Sequence, residues 1–224
     1  MTVQTLHLPE SNHQVVQSLS HHSDRKLLTL FQNHPDQGKY FAAIFCRYAQ
    51  IVYTLICHSV RSPVQADYLL SQTWRHIFYE MRGLNLQQAT GSSPEGNTLQ
   101  NWIINITAIC INQAKLPTVE SIHYSRKDAP PPLWCYVGQV LDGLDPLLRL
   151  VLIMSQTFRW SEARISAYLQ AEGESITPTE VKALLKKGNQ ALMQDLPQDI
   201  RVIYLGEQQP VAAADHKIKQ AFEV

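Results

Sequence analysis

The chain has 224 residues, enough for one large domain or two of about 100 residues each, and at 45% hydrophobic and 17% charged it is too apolar for a disordered chain. Nineteen Lys plus Arg balance nineteen Asp plus Glu, which excludes a global positive field for holding nucleic acid or anionic lipid and leaves only local patches for that work. The four cysteines, Cys46, Cys57, Cys110 and Cys135, are widely spaced and form no CxxC pair, so they read as reduced, buried hydrophobes and not as metal ligands. No signal-peptide layout and no apolar run of about 18 residues is evident, so no membrane contact is expected and the cytoplasm is the expected location.

Residues 1–24 are polar, lack a sustained apolar period and predict a flexible leader. Over 37–60, Phe41, Ile44, Phe45, Tyr48, Val52 and Ile56 fall on three- and four-residue steps, the mark of one amphipathic helix. Ser62-Pro63 then acts as a stop-and-start signal, because proline fits the first helical turn where its missing N–H costs nothing. A second helix follows to Met81, with Ala66, Leu69, Leu70, Trp74, Ile77 and Phe78 on its apolar face. The stretch 83–98 contains Gly91, Pro94 and Gly96 and predicts a flexible connection; it lacks the Gly-Lys-Ser/Thr of a phosphate loop.

A third helix over 99–114, with Trp102, Ile103 and Ile106, completes a helical domain spanning 25–115. Pro117, Arg126-Lys127 and Pro130-Pro131-Pro132 predict an extended, stiff linker over 116–132. Beyond it, 134–144, 146–156, 161–170 and 177–196 read as four helices, with Ser161 and Thr177 as N-caps, in a second domain over 133–197. Residues 200–205 predict a short extended piece within a C-terminal tail over 198–224. The expected fold class is therefore all-α, two small helical domains joined by a proline-containing linker. No nucleophile elbow, HExxH helix, P-loop or dinucleotide fingerprint occurs, so no catalytic residue, cofactor or metal site is expected and the chain does not read as an enzyme.

The helix pair beginning at Ser161 and Thr177 has the layout of a helix-turn-helix, in which the second helix offers its N-terminal side chains to the DNA major groove. Thr179, Lys182, Lys186 and Lys187 lie in the first turns of that second helix. A plain helical hairpin with solvated lysines fits the same segment equally well.

Leu141, Leu144-Asp145-Pro146, Arg149, Ile165, Leu169, Val181-Lys182, Leu185, Lys187-Gly188 and Leu192 resemble region four of the extracytoplasmic-function (group 4) sigma factors, a branch of the sigma-70 superfamily. Upstream, Tyr48, Val52-Tyr53, the run from Ala66 to Trp74, Ile77-Phe78 and Leu99-Gln100-Asn101-Trp102-Ile103 resemble region two of the same family, and the resemblance covers roughly residues 37 to 197. It implies a transcription-initiation protein that binds core RNA polymerase, at the β′ clamp and β flap, and promoter DNA, with an anti-sigma factor as a further partner. Asp67, Gln72 and Arg75 would face the polymerase, and Asn97, Asn101 and Asn105 would lie near the unpaired strand. Thr179, Lys182, Lys186 and Lys187 would contact the upstream element. Trp74 and Trp102 are expected in the core.

This sequence departs from the family pattern in charge. Where the family is rich in arginine, Ile104, Asn105, Thr107, Ala108 and Ile109 supply none, and Leu184, Asn189, Gln190 and Ala191 stand at other positions the family often makes basic. From Leu141 to Pro197 there are six Lys or Arg against seven Asp or Glu, and the turn over 170–176 is longer than the family's and carries Glu172 and Glu174. These departures support an alternative expectation: a sigma-like adaptor or regulator that binds polymerase or a partner protein without reading a promoter.

Overall fold

The structure is a computed structural model and describes residues 6–86 and 98–206. It is all-helical, with no strand among the described residues. In chain order the helices are α1 (Gln14–Gln17), α2 (Asp24–Asn33), α3 (Lys39–Ser59), α4 (Pro63–Met81), α5 (Leu99–Gln113), α6 (Pro131–Gly143), α7 (Pro146–Gln156), α8 (Glu162–Ala171), α9 (Pro178–Asp195) and α10 (Gln198–Ile200).

The ends of the helices follow the capping chemistry. The Ser62 hydroxyl accepts from Gln65 N at 3.5 Å with Pro63 in the first turn of α4, and the Thr98 hydroxyl accepts from Asn101 N at 3.2 Å at the start of α5. Helix α3 runs through the centre of the fold and packs on α1, α2, α4, α5 and α6. It is also the one described helix long and apolar enough to cross a membrane by length and composition. Its apolar side chains are used internally: Phe41, Ile44, Phe45, Val52 and Ile56 are all fully buried.

The larger core is organised around aromatic rings. Phe41 meets Phe78 edge-on with centroids 4.8 Å apart, Phe45 meets Trp74 at 5.0 Å, and Phe78 meets Tyr136 at 5.0 Å, each pair contributing about 0.5–1.5 kcal/mol beyond its buried area. Tyr136 belongs to α6, as do the buried Leu133, Trp134 and Val137. The core thus continues past residue 132, where the linker was expected to end, and α6 packs on α4. A smaller core joins Val151 and Met154 of α7, Ile165 and Leu169 of α8, Ile176 and Val181. The two are separate clusters that share helices: Leu152 of α7 and Leu192 of α9 are fully buried members of the larger one, and the half-buried Leu185 packs against both.

Several segments that read as loose are packed. In the predicted leader, Leu6, Val16 and Leu19 are buried, and Leu6 N donates to the Gln50 side-chain carbonyl at 2.7 Å. Three apolar anchors suffice to dock a segment on α3 even though their spacing has no helical period. The predicted stiff linker instead folds back on the protein: Tyr124 is buried with its hydroxyl donating to Ala129 O at 2.8 Å, and the triple proline opens α6 with Pro131 in its first turn. The C-terminal piece predicted as extended is helical, α10 continuing as a π-helical turn over Arg201–Leu205, so that Ile200, Tyr204 and Leu205 turn to the core. Both carboxylate oxygens of Asp199 accept backbone N–H bonds at the start of α3, from Gly38 at 3.0 Å and Lys39 at 2.9 Å. Gly38 is required there, because a Cβ would overlap Ile200.

The cysteines are free; Cys135 is buried, whereas Cys46, Cys57 and Cys110 are only half-buried, short of the full burial expected. Burial pushes all four thiols above their ordinary pKa, which leaves them protonated and poorly nucleophilic.

Candidate functional site

Helices α7, α8 and α9 pack around the smaller core as a three-helix unit. Each begins on a side-chain cap: Asp145 accepts from Leu147 N at 3.0 Å, Ser161 from Arg164 N at 3.3 Å, and Thr177 forms a reciprocal box with Glu180, in which Thr177 N donates to the Glu180 carboxylate at 2.7 Å and Glu180 N to the Thr177 hydroxyl at 3.3 Å. The bonds from Thr177 hold the Glu180 carboxyl below its ordinary pKa.

The long turn between α8 and α9 is a built structure. Gly173 takes a left-handed φ of 95°, its N–H reaches Gln170 O at 3.1 Å, and Glu174 N reaches Leu169 O at 2.9 Å, the paired bonds of a Schellman cap. The buried Ser166 hydroxyl and the Gln170 amide both donate to Ile176 O, at 2.7 and 2.9 Å, which fixes the entry into α9. Glycine is also needed at 188, where a Cβ would stand 2.8 Å from Leu152 Cδ1; its absence lets α9 lie close against α7.

With Val181, Gly188 and Leu192 turned inward, Thr179, Lys182 and Lys186 share an outer face of α9 at three- and four-residue steps, and all are exposed. Lys187 is exposed beside them, and none of the three lysines is in an ion pair among the described residues. The structure therefore brings the four predicted residues of α9 to one open region. Sequence reasoning did not single out the neighbouring aromatic corner: Phe158 and Tyr168 are exposed, Trp160 lies between them with ring centroids at 5.8 and 5.6 Å, and the Arg164 guanidinium sits 4.3 Å from the Trp160 centroid. The four-residue spacing of Trp160, Arg164 and Tyr168 was the available signal.

The predicted residues of α4 part company. Asp67 is half-buried and pairs with Arg126 Nε at 3.1 Å. The same guanidinium donates to His7 O at 3.3 Å and lies 5.8 Å from the Tyr53 ring, while burial, with the Asp67 charge adding to it, pushes the Tyr53 hydroxyl above its ordinary pKa. Gln72 and Arg75 lie further along, on the wall of a groove of about 560 Å³ between α4 and the end of α5. The chain's own later segments engage other parts of α4: Gln65 donates to Pro117 O at 2.8 Å, Tyr79 to Asp142 at 3.3 Å and Arg82 to Gln139 at 2.6 Å.

On α5, Asn101 and Asn105 are exposed one turn apart, whereas Asn97 lies outside the described residues. Trp74 is fully buried and Trp102 half-buried against the larger core. No group of three His, Cys, Asp or Glu side chains among the described residues has the geometry of a metal site. No family model matches the chain, and neither does any curated protein or solved structure.

Proposed function

We propose that the chain is a sigma factor-like, non-enzymatic protein of transcription initiation that acts in the cytoplasm, binding core RNA polymerase and directing it to promoter DNA. The observation that carries this reading is the three-helix unit α7–α9, in which a capped and closely seated α9 offers Thr179, Lys182, Lys186 and Lys187 to solvent. In a helix-turn-helix such a helix lies in the major groove, where lysines neutralise phosphates or meet guanine edges. Helix α4 is the polymerase-facing element in this reading, and Asn101 and Asn105 of α5 would lie beside the unpaired strand with amides able to read base edges.

A second reading is favoured by two observations. From Leu141 to Pro197 the seven acids slightly outnumber the six bases, and Asp67, one of the residues assigned to polymerase, is occupied by Arg126. Both suit an adaptor that binds polymerase or another protein without reading a promoter. In vitro transcription with purified core polymerase and a genomic DNA library, run beside a pull-down of core, separates the two. Specific new transcripts support initiation; core retention without transcripts supports the adaptor. A chain that yields no transcripts and retains no core overturns initiation and any adaptor role at polymerase.

A further inference from the structure

The groove beside Gln72 and Arg75 is lopsided in charge. It holds the positive Arg75 of α4 and Lys115 just beyond α5, together with His76, Tyr68 and Tyr79, with Leu69 and Leu116 adding apolar surface, and no Asp or Glu among the described residues lines it. In a chain whose charges balance overall, that is a local excess of positive groups. The carboxylates of the neighbourhood are engaged or turned elsewhere: Asp67 pairs with Arg126, Asp142 takes the Tyr79 hydroxyl and stands 3.8 Å from Arg149, and Glu80 of α4 is exposed outside the groove.

Arg75 and Lys115 are both exposed and in no ion pair among the described residues. The guanidinium of Arg75 lies 5.1 Å from the Trp134 ring centroid, a contact that orients it without neutralising it. The carbonyl end of α5 favours a cation at Lys115, but it does not account for Arg75 and His76 on α4.

We propose that this groove docks an acidic segment of a protein partner, its carboxylates meeting Arg75 and Lys115 and an apolar side chain seating against Leu69 and Leu116. The inference rests on the reading of α4 as a docking element and adds the sign of charge its partner must carry. An arginine with free donors suits a carboxylate, and a neighbouring apolar wall suits the non-polar residues of a peptide. A nucleic acid strand would instead need a cationic track repeating along its phosphates, which a short groove with apolar walls does not supply.

The test uses the full chain and fluorescence anisotropy with three labelled probes: a short peptide repeating Leu-Glu-Glu-Ala, the same peptide with Lys for Glu, and oligothymidylate. The acidic peptide should bind and the lysine peptide should not. Arg75→Glu/Lys115→Glu should weaken binding at least about tenfold, or ~1.4 kcal/mol, with Arg75→Ala/Lys115→Ala, checked for folding by circular dichroism, as the milder version. Binding unchanged in both double variants would overturn the proposal, as would oligothymidylate binding more tightly with the same dependence on Arg75 and Lys115. A parallel pull-down keeps the two readings apart. Core polymerase retained equally by the wild type and the charge-reversed chain would overturn the groove and leave the polymerase reading standing; acidic peptide bound through the groove by a chain that retains no core would do the reverse.

Discussion

Glu10 is the one described carboxylate less than a tenth exposed, at 4%, and it lines cavities of about 390 and 400 Å³. Burial pushes its carboxyl above the ordinary value of 4.5, against smaller opposing effects from its own backbone N–H and from Arg126. The folded chain therefore holds this proton more tightly than the unfolded chain does. Its contribution to stability is complete below about pH 4.5, declines as pH rises and is lost above the folded pKa. Glu10→Gln keeps the shape and removes the charge, so it is expected to melt about 2–4 °C higher than the wild type at neutral pH, with the difference shrinking near pH 4. An equal difference at both pH values in thermal melts would show that ionisation is not the cause. Neither this burial nor the Asp67–Arg126 pair was legible in the sequence, because Glu10 stands in a polar stretch and the two members of the pair are 59 residues apart.

At the scale of elements, the starts of α4, α8 and α9 could be read in advance because each opens on a Ser or Thr that caps its own first turn. Where the same residues serve two structures, the reading went astray. A triple proline favours an extended chain and also fits the first turn of a helix, and only the burial of Leu133, Tyr136 and Val137 decides for the helix. Thr177→Ala removes one half of the capping box and is expected to cost about 1 kcal/mol in denaturant unfolding. It should leave DNA affinity little changed once the chain is folded. Lys182→Ala/Lys186→Ala should do the opposite: the side chains are exposed and unpaired among the described residues, so stability holds while duplex affinity falls. If both lysines neutralise phosphates, the slope of log affinity against log salt becomes shallower by about 2. An unchanged slope would remove these lysines from any DNA contact.

The whole molecule joins ends that sequence reading kept apart. Asp199 caps α3 from the far end of the chain, α6 inserts Tyr136 among Phe41 and Phe78, and Leu152 and Leu192 carry the larger core into the three-helix unit. Helices shared between two cores couple the unfolding of both, because opening one core leaves apolar surface of the shared helices in water. Tyr136→Ala, which removes a ring only 1% exposed, is therefore expected to cost about 3–5 kcal/mol, the range for large aromatic truncations. The loss should fall on both cores at once. Hydrogen exchange read at α4 and at α9 distinguishes the cases: with coupled cores, the slowest amides of both helices lose protection by the same amount. If only α4 loses protection, the contacts of Leu152 and Leu192 are too weak to join the two cores, and the three-helix unit opens and closes as a body of its own. An α9 that keeps its protection while α4 opens would also let the DNA contact proposed for α9 form independently of what happens at α4. Equal losses would instead make any partner bound at α4 a stabiliser of α7–α9 through the helices the two cores share.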